Sequence, residues 1–160
     1  MTTEVGNSLV ERFDRLEQEV RRLTAERQIL ETMNTYSYCF DYGDHEAFVD
    51  CFTEQGSFKL KFPGVTEVQA HVGRAKLAEF IRAQPHAPDV FRKHLMLAPR
   101  FTFDSDGARV RSYWILIDGD APTGPSVNSF GNYDDRLVEC DDGKWRFSER
   151  IAEVERFVAA

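Results

Sequence analysis

From Lys93 onward the chain keeps to a single pattern. Lys93 to Phe103, Arg109 to Asp118, Val127 to Glu139 and Lys144 to Val154 read as four successive strands, separated by turns at Asp106-Gly107, Gly119 to Pro125 and Asp142-Gly143. Two of these turns carry the Asp-Gly dipeptide that tight hairpins favour. Strands joined by short turns pair with their sequence neighbours, so this half of the chain is expected to form a long antiparallel sheet, which must bury one face against something else.

What it buries against is written earlier. Leu9, Leu16, Leu23 and Leu30 recur at every seventh residue, with Phe13 and Val20 between them, a coiled-coil-like stripe on a helix rich in Glu, Arg and Gln. Asn7 or Ser8 is the expected cap of its start. A stripe this narrow fits its own domain or another subunit equally well. The apolar face continues through Ile29, Met33, Tyr36 and Phe40, turning aromatic, until Gly43-Asp44 interrupts it. Asp44 is placed to cap a short helix burying Phe48, Cys51 and Phe52 and stopping at Gly56. Strict alternation in Phe58-Lys59-Leu60-Lys61-Phe62 then predicts a half-buried strand ended by Pro63-Gly64. Arg74 to Gln84 carries Leu77, Phe80 and Ile81 at helical spacing, and the prolines between Pro85 and Asp89 mark a loop.

Helices followed by an antiparallel sheet give an α+β domain in which the sheet curls around the helices and encloses a pocket. A length of 160 residues suits one domain. The expected organisation is a flexible N-terminus over 1–8 and a single domain over 9–160, with the heptad-bearing helix at 9–42. The net charge of −7, with basic residues scattered among acids, argues against nucleic acid or an anionic membrane as partner. No apolar run approaches membrane-spanning length and the N-terminus is polar, so the chain reads as cytoplasmic. Its three cysteines lack Cys-x-x-Cys spacing, which suggests neither a disulfide framework nor a zinc site.

Chemistry is concentrated in few residues. Alternation along Arg92 to Pro99 puts His94, Met96 and Ala98 on one face and Leu95 and Leu97 on the other, both largely apolar, so His94 is expected to be buried and to need a partner. Asp41 is the candidate: a carboxylate holds an imidazole in one tautomer and stabilises its protonated form, as a general base requires. A lone histidine on an apolar strand is more commonly a satisfied core residue, and an Asp before Gly is often only a turn residue. On an ideal helix Tyr36 and Asp41 lie roughly 140° apart, so a break near Asp41 would be needed for both to face one cavity. His45, His71 and His86 are assigned to the surface or loops, and no metal ligand set is present. Asp104 to Gly107 is a turn and not a calcium loop, since the downstream Glu is missing. Asp134 and Arg136 fall on one strand face and Asp135 on the other, read as a solvated sheet face. Asp118 ends its strand near the pocket mouth or opens a loop. No nucleotide-binding glycine motif and no Gly-x-Ser-x-Gly occurs.

Taken together, Tyr-x-x-x-x-Asp at Tyr36 to Asp41, Gly43-Asp44 with Phe48, Phe52-Thr53-Glu54-x-Gly56, Lys93-His94 before Pro99, and Tyr133, Asp135, Gly143-Lys144-Trp145 and Phe147 resemble the SnoaL-like branch of the nuclear transport factor 2-like superfamily, in the group similar to scytalone dehydratase. The likeness runs from about Phe13 to Phe157. It implies a cone formed by a curved sheet and helices, in members that are commonly trimers or dimers. The pattern is most similar to bacterial bile-acid 7α-dehydratases, with Tyr36, Cys39, Asp41 and His94 at matching places. The resemblance implies His94 as general base or acid, Asp41 as its orienting partner and Tyr36 as a donor to a substrate oxygen. Dehydrochlorinases of this fold are similar in using an Asp and His pair. Fungal scytalone dehydratases differ, with a second active-site histidine where Phe130-Gly131-Asn132 stands and a Tyr where Phe40 stands. The acid that the bile-acid enzymes carry near Ile117 aligns one place from Asp118.

The expectation is therefore a cofactor-independent lyase or isomerase acting on a hydrophobic hydroxylated or carbonyl compound, steroid-like, polyketide or aromatic. Phe40, Tyr38, Met96, Phe58, Trp114, Phe130 and Asp118 are the expected pocket lining, and a homo-oligomer the expected assembly. The alternatives are a non-catalytic binding or assembly module of the same fold and the small subunit of a ring-hydroxylating dioxygenase, although no feature requires a large partner.

Overall fold

The computed structural model describes residues 2–120 and 124–158. Met1, at the start of the expected flexible terminus, and residues 121–123, within the expected Gly119 to Pro125 turn, lie outside the described residues.

One helix dominates the first quarter of the chain. Helix α1 runs from Thr2 to Tyr42, beginning ahead of Asn7 and Ser8, so neither is its N-cap. Its two halves have different surroundings. Leu9, Phe13, Leu16, Val20 and Leu23 are each 50–68% exposed, so the heptad stripe does not pack on its own domain. Further along, Ile29, Met33 and Tyr36 are fully buried against the sheet, as the aromatic turn of the pattern required. Gly43, with φ of 79°, ends the helix, and its backbone N–H reaches back to the Cys39 carbonyl. A side chain there would collide with the His86 ring, 2.6 Å from an ideal Cβ.

Asp44 then caps helix α2, His45–Asp50, its carboxylate accepting the Ala47 N–H at 3.1 Å. This helix is shorter than expected, because Phe52 already opens strand β1, Phe52–Lys61. The expectation of helix up to Gly56 fails here: Phe52 keeps its predicted burial, but from a strand, and an irregularity between Phe52 and Ser57 accommodates Gly56. Strand β2, Gln69–Val72, was not apparent in the sequence. Helix α3, Gly73–Arg82, buries Leu77, Phe80 and Ile81. Strands β3 (Arg92–Asp104), β4 (Gly107–Asp118), β5 (Ser126–Glu139) and β6 (Trp145–Phe157) match the four expected strands closely.

The sheet order is β2-β1-β6-β5-β4-β3, an open, curved sheet whose edges β2 and β3 do not meet. It is not wholly antiparallel. β1 joins β6 in parallel, which a chain can do only after a long crossover, here everything from β2 to β5. The inward face of the sheet and the buried half of α1 form one α+β core, containing Phe48, Phe52, Phe58, Trp114, Tyr133, Leu137 and Phe147.

Candidate active site

The end of α1 and the start of β3 meet where the sheet opens. Asp41 Oδ1 lies 2.6 Å from His94 Nδ1, and both carboxylate oxygens accept the His94 backbone N–H, at 3.3 and 3.2 Å. The pair is sheltered, with side chains 6% and 13% exposed. An ionised carboxylate only accepts hydrogen bonds, so in the neutral form of the ring Nδ1 is the nitrogen that carries the proton and Nε2 the one that keeps its lone pair. The Phe40 ring, with its centroid 4.4 Å from that of the imidazole, holds the other side of His94.

His94 faces a cavity of about 310 Å³ roofed by Tyr36, Phe40 and Phe80 and floored by Phe58, Trp114, Leu116, Tyr133 and Val154. That volume lies at the lower end of small-molecule sites. Larger clefts of about 460 and 570 Å³ touch neither His94 nor Asp41. No helix break is needed for the arrangement. α1 is continuous through Tyr42, Tyr36 lines the cavity, and Asp41 instead stands behind the imidazole. The 140° between the two positions is what separates the roof from the flank of His94.

Of the expected lining, Phe40, Phe58 and Trp114 are in place. Met96 packs at the margin of the core and does not line the cavity. Tyr38 is 69% exposed, stacked on Tyr42, because two helical steps from Tyr36 turn it about 200° away. Phe130 points outward from β5, between inward-facing Ser129 and Gly131, and borders a different cleft with Phe62 and Pro63. Asp118 lies in an outer cleft with Asp89 and Asp120. His71 is not a surface residue. It is half-buried on β2 with its ring 4.4 Å from that of Phe80, and His45 and His86 face each other at 5.5 Å.

Two residues beneath the cavity carry what the sequence reading missed. Arg150 and Asp135 are both fully buried, with Nε 3.2 Å from Oδ1 in a contact that is an ion pair and not an aligned hydrogen bond. The guanidinium lies against the faces of Tyr133, Tyr36 and Phe147, 3.7, 4.1 and 4.5 Å from their centroids. Asp135 is thus no part of a solvated face. Burial pushes its carboxyl up to about 7, with Arg150 opposing. Burial also disfavours the charge on Arg150, but Asp135 and the neighbouring phenols outweigh it and hold the arginine charged. Burial raises the Tyr36 phenol well above its ordinary value and Tyr133 to about 12, so both remain protonated hydrogen-bond donors. Burial likewise raises the thiols of Cys39 and Cys51, to about 11 and about 12, which makes them packing groups and not nucleophiles. No cluster able to hold a metal ion occurs among the described residues.

The fold that brings this imidazole, its carboxylate and the aromatic cavity together has known relatives. The SnoaL-like domain matches residues 21–151. The chain belongs to the SnoaL-like domain family. Rv3472 of Mycobacterium tuberculosis, a protein described as of unknown function, is 31% identical over 89% of this chain and 76% of its own, with a TM-score of 0.70. Two proteins of Novosphingobium aromaticivorans share the fold. An NTF2-like protein with a cystatin-like fold is 21% identical, covers 90% of each chain and has a TM-score of 0.75. A candidate scytalone dehydratase is 22% identical over 87% of this chain and 89% of its own, with a TM-score of 0.68. Comparison with curated proteins gave no match. Within the SnoaL-like family, then, this chain presents His94 at the wall of an aromatic cavity. No helix of the described residues is long and apolar enough to cross a membrane.

Proposed function

We propose that the protein is a cofactor-independent lyase, or an isomerase sharing its first step, acting on a hydrophobic hydroxylated carbonyl compound. The observation that carries this reading is the contact between Asp41 and His94 at the cavity wall. His94 Nε2 removes a proton from the carbon next to a carbonyl, and the C–H electron pair moves onto the carbonyl oxygen. Tyr36 and Tyr133, which stay protonated, donate to that oxygen as negative charge develops there. In dehydration the enolate expels the β-hydroxyl, which leaves as water with the proton held on His94. In isomerisation the same proton is returned to a different carbon. The positive charge carried by the ring between the two steps lies against the Asp41 carboxylate. The cycle balances in protons and electrons with no other reactant. Acid–base assistance of this kind is worth on the order of 10² to 10⁴ in rate, which suits an already activated C–H bond.

A bicyclic β-hydroxyketone, 3-hydroxy-1-tetralone, tests the reading directly, because loss of water yields 1-naphthol and a strong change in absorbance. The wild type is expected to accelerate the loss, and His94→Ala to abolish the acceleration with its thermal melt intact. A His94→Ala protein as active as the wild type would remove His94 from the chemistry.

A homo-oligomer belongs to the same reading, with the exposed seam of α1 as its contact. Leu9, Phe13, Leu16, Val20 and Leu23 occupy only two positions in seven, a width that suits a second helix of the same kind. In a parallel pair Arg12, which makes no ion pair of its own among the described residues, would meet Glu17 of a second copy.

A further inference from the structure

Among the described residues the cavity has one fixed cation at its wall and no acid. Alternation along β3 sends Arg92 to the same side as His94, and both line the cavity. None of the other residues that line it is Asp or Glu, in a protein of net charge −7. The Arg92 Nε is buried and has no hydrogen-bond partner, and its side chain makes no ion pair among the described residues. The other charged groups of the region are paired by charge, Asp41 with His94 and Arg150 with Asp135. Arg92 also borders the outer cleft that contains Asp89, Asp118 and Asp120, so it stands at the mouth, between cavity and solvent. Two of those acids are otherwise engaged, Asp120 accepting the Phe91 N–H and Asp118 the Asp120 N–H, and none of the three makes an ion pair with Arg92 or lines the cavity. Two amides, Gln69 and Gln84, share the lining and add donors.

We infer that Arg92 anchors a carboxylate on the substrate, so that the compound turned over is an aromatic or alicyclic acid whose apolar body fills the cavity and whose anionic end sits at the mouth. The inference rests on the proposed function only in taking the cavity as the substrate site. A guanidinium matches a carboxylate in a planar, two-pronged contact. A phosphate dianion would call for more than one cation, and among the described residues that line the cavity only Arg92 is an unpaired one. Residues two apart on a strand are roughly 7 Å apart, so the anchored end and the carbon facing His94 are separated by about the width of a fused ring. The arginine would therefore fix which end of the molecule enters first.

Binding of 2-naphthoate and of its methyl ester, measured by fluorescence titration at neutral pH, tests this without turnover. The wild type is expected to bind the acid at least about tenfold more tightly than the ester, the size of one charge-assisted contact. Arg92→Gln should erase the preference by weakening the acid and leaving the ester unchanged, which also shows that the variant is folded. Arg92→Lys should restore part of it. A wild type that does not favour the acid, absence of binding included, would overturn the inference, as would a preference that survives in Arg92→Gln. Failure of the acid–base reading would appear instead as unimpaired turnover in His94→Ala, with the binding preference untouched.

Discussion

Replacing Asp41 by Asn should move a proton from one nitrogen of His94 to the other. In the wild type the carboxylate accepts three contacts: Nδ1–H at 2.6 Å and the His94 backbone N–H on both oxygens. A charge-assisted bond of this type is worth about 1.5–3 kcal/mol, which favours the Nδ1–H tautomer by roughly 10- to 150-fold. An Asn side chain has two ways to sit. With its oxygen at the Oδ1 position it still accepts Nδ1–H, but its NH₂ then faces the His94 backbone N–H at about the 3.2 Å now spanned by Oδ2, donor against donor. With the amide turned over, the oxygen accepts the backbone N–H over the shorter 3.2 Å, the NH₂ donates to Nδ1, and the donors face each other only over the longer 3.3 Å. The second arrangement keeps the better backbone contact and is the favoured one, and it puts the ring proton on Nε2, where the base is needed. Long-range proton–nitrogen correlation spectra at a pH where the ring is neutral distinguish the tautomers, with His94→Gln identifying the signals against those of the other three histidines. The wild type should show Nδ1–H and Asp41→Asn Nε2–H, with turnover of the tetralone falling by about 10² to 10⁴. A wild-type ring protonated at Nε2, or a variant that keeps Nδ1–H, would refute the reasoning whatever the rates.

Other consequences are open to direct measurement. Arg150→Ala strands the Asp135 carboxyl and empties a site enclosed by three aromatic rings, so unfolding in urea should show a loss of about 3–5 kcal/mol. Asp135, raised from 3.8 to about 7 in the folded protein, binds a proton more tightly there than in the unfolded chain. Its contribution to stability is therefore full below about pH 4 and lost as pH rises through 7, so Asp135→Asn should gain stability relative to the wild type across that window. A relative loss there would contradict it. In β5, a Cβ at Gly131 would lie 1.9 Å from the Glu153 carbonyl oxygen, so Gly131→Ala should cost about 2 kcal/mol or more in a thermal melt. Leu16→Glu with Val20→Glu should lower the mass seen by sedimentation at fixed concentration without changing the melt of the domain, since neither residue touches the core.

The parts of the fold that follow a local period were legible in the sequence. The helical spacing through Met33 and Tyr36 and the hairpins at Asp106-Gly107 and Asp142-Gly143 need no distant partner to be recognised. The parallel pairing of β1 with β6 depends on residues nearly a hundred positions apart, which no local pattern encodes. Phe52 to Gly56 misled because a polar segment after a capped helix has neither period clearly. Arg150 was hidden for a more specific reason. Strict alternation from buried Phe147 sends residue 150 to the outer face, but an irregularity opposite Arg136 and Leu137 inserts a residue and reverses the phase, so that Arg150 turns inward opposite Asp135. Asp135 itself left a signal: it sits between Tyr133 and Leu137 on one face of β5, and an acid flanked that way is buried. Asp41 and His94 could be paired from the resemblance, but only the fold brings the end of α1 beside the start of β3.

Asp41 also breaks a local rule, and the breach is itself informative. It lies in the last turn of a 41-residue helix, where the partial negative charge of the backbone carbonyls disfavours a carboxylate by about 0.3–1 kcal/mol, and no basic residue occupies that turn. It is almost wholly buried as well, which adds a desolvation cost. Only the His94 contacts offset these terms. Without His94 a neutral or basic residue would suit this place better, so the stabilising part of the carboxylate is expected to run through the imidazole, in keeping with the proposed function. A double-mutant cycle exposes the trade. Asp41→Asn should destabilise the wild type by about 1–3 kcal/mol, since a strong contact is lost. In a His94→Phe background, where only the backbone N–H remains to be accepted, the same change should be neutral or stabilising, giving a coupling of about 1–3 kcal/mol. Equal effects of Asp41→Asn in the two backgrounds would mean that Asp41 serves the helix end or the strand backbone alone, and that its approach to the ring is incidental.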